Sequence, residues 1–182
     1  MSANQTADGN PTRQPGVARW VAVMAGLSLW LIGVPLVHGV LPWALARLTA
    51  HHGWLDGHPG PWNLLGFIPV GFGASVLLWD MATGLTYTRQ IPERVTEVAS
   101  PFLITRGPHA LTRNPMYIAE LALWLGWALL YGSAAVLIGL GVLATGILTV
   151  VPREERGLEA RFGTSYREYK RAVPRWLGRR AR

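Results

Sequence analysis

The feature that most constrains the fold is an uncharged stretch of 32 residues from Leu121 to Pro152. As a single α-helix, the apolar run 116–151 would be roughly 54 Å long, well beyond the ~30 Å hydrocarbon core of a bilayer. Two helices that meet at Tyr131-Gly132-Ser133 would each be short, but they could cross a membrane with tilt or local thinning. In that hairpin both ends of the stretch reach the same membrane face.

The basic residues favour the hairpin. With four spans, the N-terminal tail, the connector 80–113 and the C-terminal region share one side of the membrane. That side then carries 16 of the 17 Lys and Arg residues, and only Arg47 lies on the other, as expected for a cytoplasmic side. A single long helix would put the ten basic residues of the C-terminal tail outside. We therefore predict a multi-pass protein of a cell inner membrane with both termini in the cytoplasm.

Composition agrees with a membrane protein. Half of the residues are hydrophobic and only 15% are charged, whereas soluble domains are about one quarter charged. The absence of cysteine excludes disulfides and thiolate chemistry. The net charge of +7 is typical of cytoplasmic segments of membrane proteins, so we expect no nucleic-acid partner. The loop 47–61 holds three histidines and Asp56 without a regular helical spacing, and we expect a solvated loop and no metal site.

The expected fold is an all-α integral membrane protein with about four transmembrane helices. Residues 1–16 are polar and predict a disordered tail. Residues 17–85 predict the N-terminal transmembrane helices, from the uncharged runs 20–46 and 57–79. Residues 86–182 predict a ligand-binding region with a helical hairpin at 115–151 and a cytoplasmic tail of amphipathic interfacial helices.

Several local features refine this fold. Pro35 and Pro42 are expected to kink or end the first span. Gly66, Gly71 and Gly73 are expected to let neighbouring helices approach closely. A short interfacial helix is expected near 93–99.

The C-terminal tail has an aromatic face. Gly163 is expected to end one short helix and Thr164 to cap the next. Apolar and aromatic side chains recur at helical spacing, and they indicate a face that lies on the anionic inner leaflet. These are Leu158, Phe162, Tyr166 and Tyr169.

The hairpin brings two polar clusters together at the inner interface. One holds His109, Arg113, Asn114 and Tyr117, and the other holds Arg153, Glu154 and Glu155. Such a cluster offers donors for a carboxylate and acceptors for an ammonium group or a diol, so it suits a zwitterionic ligand with hydroxyls. Asn114 and Pro115 begin a helix whose free N–H groups favour an anionic group. Ordinary interfacial charge is an equally good explanation from the residues alone.

Glu120 lies about one turn inside the membrane. An ionisable residue at that depth is a functional candidate by default, although a structural pairing with a neighbouring helix explains it nearly as well.

The motifs taken as a set resemble the isoprenylcysteine carboxyl methyltransferase family over roughly residues 101–177. The resemblance rests on Gly107-Pro108-His109, Arg113-Asn114-Pro115-Met116-Tyr117, the apolar hairpin, Pro152-Arg153-Glu154-Glu155, Phe162-Gly163, Tyr166, Tyr169 and Val173-Pro174-Arg175-Trp176. The phospholipid N-methyltransferases share the Arg-x-Pro-x-Tyr and Glu-Glu parts. This chain departs from the commoner family pattern at His109, Asn114 and Ala119.

The resemblance implies a membrane methyltransferase that uses S-adenosyl-L-methionine (S-adenosylmethionine) and takes a lipophilic acceptor, prenylated or lipid-like, from the bilayer. The residues it assigns to the cofactor pocket are His109, Arg113, Asn114, Pro115, Tyr117, Glu154 and Glu155. It assigns acceptor orientation and catalysis to Arg153 and Glu155. The first prediction is protein-S-isoprenylcysteine carboxyl O-methyltransferase activity. The alternatives are a phosphatidylethanolamine-type N-methyltransferase and a non-catalytic accessory protein; a transporter is the weakest option, since only Asp80 and Glu120 could line a path.

Overall fold

The computed structural model describes residues 24, 28–88 and 103–178. The expected disordered tail at 1–16 and interfacial helix near 93–99 lie outside these residues, as does most of the first span before residue 28.

The described chain is mostly helical. The first apolar helix, Trp30–Ala46, begins within a wide π-type turn at Leu29–Gly33. A second such turn follows at Leu36–Val40, and the helix ends in the α-helical α1, Leu41–Ala46. Strands β1 (Trp54–Leu55) and β2 (His58–Pro59) follow. The remaining helices are α2 (Pro61–Leu64), α3 (Phe67–Thr88), a 3-10 turn at Gly107–Ala110, α4 (Pro115–Tyr131), α5 (Ala134–Phe162) and α6 (Thr164–Ala172).

The predicted break in the long apolar run is confirmed. Helix α4 ends at Tyr131, and Gly132 adopts a left-handed conformation with φ of 55°. A Cβ at Gly132 would lie 2.0 Å from the carbonyl oxygen of His52, so the turn needs glycine. The Ser133 side chain then accepts a hydrogen bond from the Val136 N–H and caps α5.

Helix α5 is longer than the sequence predicted. The hairpin was expected to end at 151, with a separate short helix after it, but α5 continues through Pro152 to Phe162. Gly163 ends this helix as predicted. Thr164 does not cap α6, because its hydroxyl accepts from Arg167 Nη2 instead. The Glu154-Glu155 pair therefore lies within a continuous helix.

Glycines set the distance between α3 and α4, as predicted for two of the three positions. A Cβ at Gly66 would lie 2.5 Å from the Gly126 carbonyl oxygen, and one at Gly73 would lie 2.7 Å from the Ala119 carbonyl oxygen. Gly71 has open space around it and plays no part in this contact.

Among the described residues, two helical segments are long and apolar enough to cross a membrane: Pro61–Tyr87, which comprises α2 and most of α3, and Ala134–Phe162. Shorter apolar helices lie at Trp30–Ala46 and Pro115–Tyr131. The first of these continues through Pro35 and Pro42, so neither proline ends it where the sequence suggested.

The loop after Arg47 is largely exposed, as we expected, and it also contains a short hairpin. Its Asp56-Gly57 turn has positive φ at both residues and joins β1 to β2, an arrangement typical of tight hairpins. Asn63 Nδ2 donates to the carbonyl oxygens of His52 and Leu129 and so ties the loop to the α4–α5 turn. The described residues contain no group of three His, Cys, Asp or Glu side chains that could hold a metal.

Candidate functional site

At the end of the molecule opposite this loop, the start of α4 meets the last third of α5 and the segment that follows α6. Glu155 is 5% exposed, and its carboxylate is the centre of this meeting point. Arg113 Nη2 lies 3.1 Å from its Oε1, and Arg175 Nη2 donates to its Oε2 at 2.6 Å. The Arg175 Nε lies 3.2 Å from both oxygens. This bidentate geometry raises the pKa of Arg175 above its usual value, chiefly through hydrogen bonds to Glu155.

Backbone contacts hold the C-terminal segment against the start of α4. Thr112 Oγ1 donates to the Arg175 carbonyl oxygen at 2.9 Å, and Asn114 Nδ2 donates to the same atom at 3.1 Å. The Arg113 N–H donates to the Pro174 carbonyl oxygen at 2.9 Å. The three consecutive residues 112–114 are therefore all hydrogen-bonded to the carbonyl oxygens of Pro174 and Arg175.

Asn114 thus differs from its predicted role. It occupies the N-cap position of α4, but its side-chain oxygen makes no capping hydrogen bond, and its Nδ2 donates to the Arg175 carbonyl oxygen. The residue is 9% exposed, so its amide is a buried structural tie. Pro115 follows at the first helical position and is also buried, as expected for a residue that needs no N–H partner there.

Arg113 carries unused donors. Its side chain is 8% exposed, and among the described residues its Nε and Nη1 have no hydrogen-bond partner. With Arg175 and Glu155 the cluster has one more positive than negative charge. A buried cation with free donors favours an anionic ligand beside it.

A second cluster lies on the adjacent face of α4. The Tyr117 side chain interacts with the Glu154 carboxylate, which is exposed on α5. The negative charge of Glu154 also acts on Glu120 of α4, across the hairpin. His38 of the first apolar helix is 8% exposed, and its Nε2 lies 3.9 Å from Glu120 Oε1. Glutamates 154 and 155, although adjacent, therefore have different partners.

His109 links this end of α4 to α3. Its Nε2 lies 2.9 Å from Asp80 Oδ1, close enough for an ion pair when the ring is protonated, although Oδ1 has no hydrogen bond of acceptable geometry. The hydroxyl of Tyr169 donates to the His109 carbonyl oxygen at 2.8 Å. His109 is thus held by both α3 and α6.

The aromatic face of the tail packs on the protein. Tyr166 is 1% exposed and Tyr169 is 8% exposed, and they form a small core with Val173, Leu103 and Phe162. The prediction that this face lies on the inner leaflet is therefore wrong for these two tyrosines. Burial raises the pKa of Tyr166 to about 12 and raises the pKa of Tyr169 as well.

The structure brings only some of the predicted site residues into contact with one another. Arg113 and Glu155 form one cluster, and Tyr117 and Glu154 form the next. Asn114 lies beside the first cluster and donates to the Arg175 carbonyl oxygen. Arg153 is exposed on α5, and the arginine that reaches Glu155 from the tail is Arg175. The sequence contained Arg175 within its Val-Pro-Arg-Trp motif, but no spacing along the chain indicates that it returns to α5.

An open cavity of about 570 Å³ lies elsewhere, between the end of α3 and residues 105–107. None of the predicted site residues lines it. Its lining consists of Trp79, Ala82, Thr83, Thr86, Tyr87, Thr105, Arg106 and Gly107.

Comparisons with known proteins give two matches. A family model described as phospholipid methyltransferase matches residues 69–165, a range that holds both clusters except for His38 and Arg175. An uncharacterized protein of Haemophilus influenzae is 38% identical over 63 residues, which is 34% of this chain and 100% of that protein. No solved structure matches the chain.

Proposed function

The chain belongs to the phospholipid methyltransferase family, and from that premise we propose that it transfers a methyl group from S-adenosylmethionine to a lipophilic acceptor. The observation that carries this proposal is the meeting of Arg113 and Tyr117 with the Glu154-Glu155 pair at one end of the hairpin. These residues come from opposite ends of a 32-residue uncharged stretch.

The donor set suits this methyl donor, which carries a carboxylate, an ammonium group and a ribose diol. The free Nε and Nη1 of Arg113 would donate to the carboxylate. The exposed carboxylate of Glu154 would accept from the ammonium group or the diol. Glu155 is already held by two arginines, so its role would be to orient Arg113. When bound, the sulfonium donor supplies an activated methyl group, and the protein needs chiefly to align the reactants and exclude water.

We further propose four membrane spans with both termini in the cytoplasm. Pro61–Tyr87 and Ala134–Phe162 have the required length. Trp30–Ala46 and Pro115–Tyr131 have 17 residues each, about 25 Å at 1.5 Å per residue, which is slightly less than a ~30 Å hydrocarbon core. Exposed apolar side chains along all four helices support contact with lipid, among them Leu31, Ile68, Leu125 and Val142. This arrangement puts the candidate site at the cytoplasmic face.

Two acceptor classes fit the proposal. The resemblance to carboxyl methyltransferases favours a prenylated carboxylate, for which no base is needed. The family match and the carboxylate of Glu120, which has no Lys or Arg ion-pair partner among the described residues, favour a lipid amine, because a carboxylate attracts an ammonium group and repels another carboxylate.

Binding of the donor tests the proposal without a known acceptor. The full chain is purified in detergent, and binding of S-adenosylhomocysteine is measured by isothermal titration calorimetry. We expect saturable binding that is weakened roughly tenfold or more in Glu154→Gln, since a hydrogen bond to a charged group contributes about 1.5–3 kcal/mol. Glu168 is an exposed carboxylate on α6, so Glu168→Gln is the matched control and should bind like the wild type. The absence of saturable binding to the wild-type chain would refute the proposal.

A further inference from the structure

The open cavity between the end of α3 and residues 105–107 is lined by none of the residues of the two polar clusters. Its volume of about 570 Å³ lies within the range of roughly 300–1,000 Å³ that is typical of small-ligand pockets. Arg106 lines the cavity and is exposed. Among the described residues, no carboxylate forms an ion pair with its guanidinium group. A guanidinium group without a protein partner at the wall of a cavity favours an anionic ligand.

One wall of the cavity is a close contact between α3 and the turn before α4. A Cβ at Gly107 would overlap the Thr83 Oγ1 atom, and its φ of 62° also favours glycine at this position. One turn earlier on α3, Asp80 Oδ1 lies 2.9 Å from His109 Nε2. These two contacts hold the turn against α3, so the shape of the cavity is fixed by packing.

The polar groups along the cavity are of two kinds. Thr83 Oγ1 donates to the Trp79 carbonyl oxygen at 2.9 Å, and Thr86 Oγ1 donates to the Thr83 carbonyl oxygen at 2.7 Å. The protons of these two hydroxyls are therefore used within α3. Thr105 and Tyr87 also line the cavity, and a hydroxyl group can donate to an anion. The cavity thus combines the Arg106 cation with neutral donors, a set that suits a phosphate group.

The position of the cavity along α3 indicates where such a phosphate group comes from. The sequence of α3 contains one charged residue, Asp80. Trp79 is 46% exposed and Tyr87 is partly exposed, and tryptophan and tyrosine are the residue types that lie at the level of lipid headgroups. In the proposed four-span arrangement this end of α3 is cytoplasmic, and basic pockets on that side of a membrane bind the headgroups of anionic lipids.

We propose that this cavity binds the phosphate group of an anionic membrane lipid, with Arg106 as its main partner and the Thr105 and Tyr87 hydroxyls as further donors. A guanidinium group can bind two phosphate oxygens at once. The lipid bound here is distinct from the methyl acceptor, and it stabilises the contact between the end of α3 and the turn at residue 107. The inference rests on the proposed four-span arrangement and does not depend on methyl transfer.

Thermal unfolding of the full chain in detergent tests the lipid site with three probes: phosphatidylglycerol, diacylglycerol and glycerol 3-phosphate. Phosphatidylglycerol at one hundred times its Kd should raise the unfolding temperature by about 5–10 °C. Diacylglycerol lacks the phosphate group, and glycerol 3-phosphate lacks the acyl chains. At the same concentration each of these two probes should raise the unfolding temperature by less than about 2 °C.

Replacement of Arg106 locates the site. Arg106→Gln should weaken the binding of phosphatidylglycerol roughly tenfold or more, since the charged hydrogen bonds to phosphate are lost. Arg106→Lys keeps the charge and should retain part of the affinity. Arg171 is an exposed arginine on α6, so Arg171→Gln removes the same charge elsewhere and should bind like the wild type. Native mass spectrometry of the bound lipid gives a second readout that does not depend on the stability of each variant.

Four results would overturn the inference. The first is a wild-type chain that phosphatidylglycerol does not stabilise. The second is an equal affinity for phosphatidylglycerol in Arg106→Gln and Arg171→Gln, which would indicate a general attraction to basic surfaces. The third is equal stabilisation by diacylglycerol, and the fourth is equal stabilisation by glycerol 3-phosphate, which would assign the cavity to a soluble phosphate ester. Binding of S-adenosylhomocysteine is measured in parallel, and its absence would refute the methyltransferase proposal while lipid binding at Arg106 would still support this inference.

Discussion

Replacement of Glu155 by Gln isolates the buried ion cluster that joins the hairpin to the C-terminal segment. Glutamine keeps the volume of the side chain but removes the charge that Arg113 and Arg175 share. Arg113 is 8% exposed, and two of its nitrogen atoms have no hydrogen-bond partner in the part of the chain that the structure describes. The variant would therefore leave a buried, uncompensated cation, and removal of one partner from such a pair costs about 3–5 kcal/mol of stability.

Arg175→Ala gives the matched comparison. The Arg175 side chain is 42% exposed, so solvent screening limits its ion pair to about 1 kcal/mol. Its carbonyl oxygen would still accept from Thr112 and Asn114, because those bonds use the backbone. The double variant Arg113→Met/Glu155→Met removes both buried charges. Its loss of unfolding free energy should fall well below the summed losses of Arg113→Met and Glu155→Met measured separately.

Thermal unfolding followed by tryptophan fluorescence in detergent measures these differences. For a chain of this size, 1 kcal/mol corresponds to a shift of about 2–4 °C. Glu155→Gln should lower the unfolding temperature by about 6–20 °C, and Arg175→Ala by no more than about 4 °C. Two results would refute the idea that a buried charge holds this site together. One is an equal fall in unfolding temperature for Glu155→Gln and Arg175→Ala, and the other is a double variant whose loss of stability equals the sum for Arg113→Met and Glu155→Met.

Two further predictions concern the fold. Gly66→Ala should destabilise the protein by about 1–3 kcal/mol, since its Cβ would lie 2.5 Å from a backbone oxygen of α4. Gly71 lies in open space, so Gly71→Ala should change the unfolding temperature by no more than about 2 °C. An equal change in unfolding temperature for the two variants would contradict the close helix contact. The chain has no cysteine, so single cysteines report topology cleanly: Asp56→Cys should react with a membrane-impermeant thiol reagent in intact cells, and Glu168→Cys only after permeabilisation. Labelling of both in intact cells would contradict the four-span arrangement.

The sequence predicted the fold where physical limits are strong. The length of the uncharged run required a break, and Gly132 marked it because only glycine fits against the His52 carbonyl oxygen. The same reasoning placed the start of α4 close to the Glu154-Glu155 pair. The sequence also predicted close packing at Gly66 and Gly73, because small residues inside an apolar helix commonly allow a neighbouring helix to approach closely.

The sequence could not reveal how polar groups are shared over long distances along the chain. Asn114 has the residue type of an N-cap, but its side-chain amide donates to the carbonyl oxygen of Arg175, 61 residues later in the chain. Tyr166 and Tyr169 have the spacing of a membrane-facing stripe, yet the protein itself covers them. The spacing of a helix face shows which side chains share a surface and not which partner buries that surface.

The most direct test of the central claim is the transfer of label from methyl-labelled S-adenosylmethionine to lipid in membranes that contain the full chain. We predict label in the lipid fraction with the wild-type protein, and a strongly reduced amount with Glu154→Gln. Label that resists base and co-migrates with amine lipids would identify the acceptor as an amine, and base-labile label would identify a carboxylate. If wild-type membranes incorporate no more label than membranes without the protein, the hairpin cluster is not a methyl-transfer site.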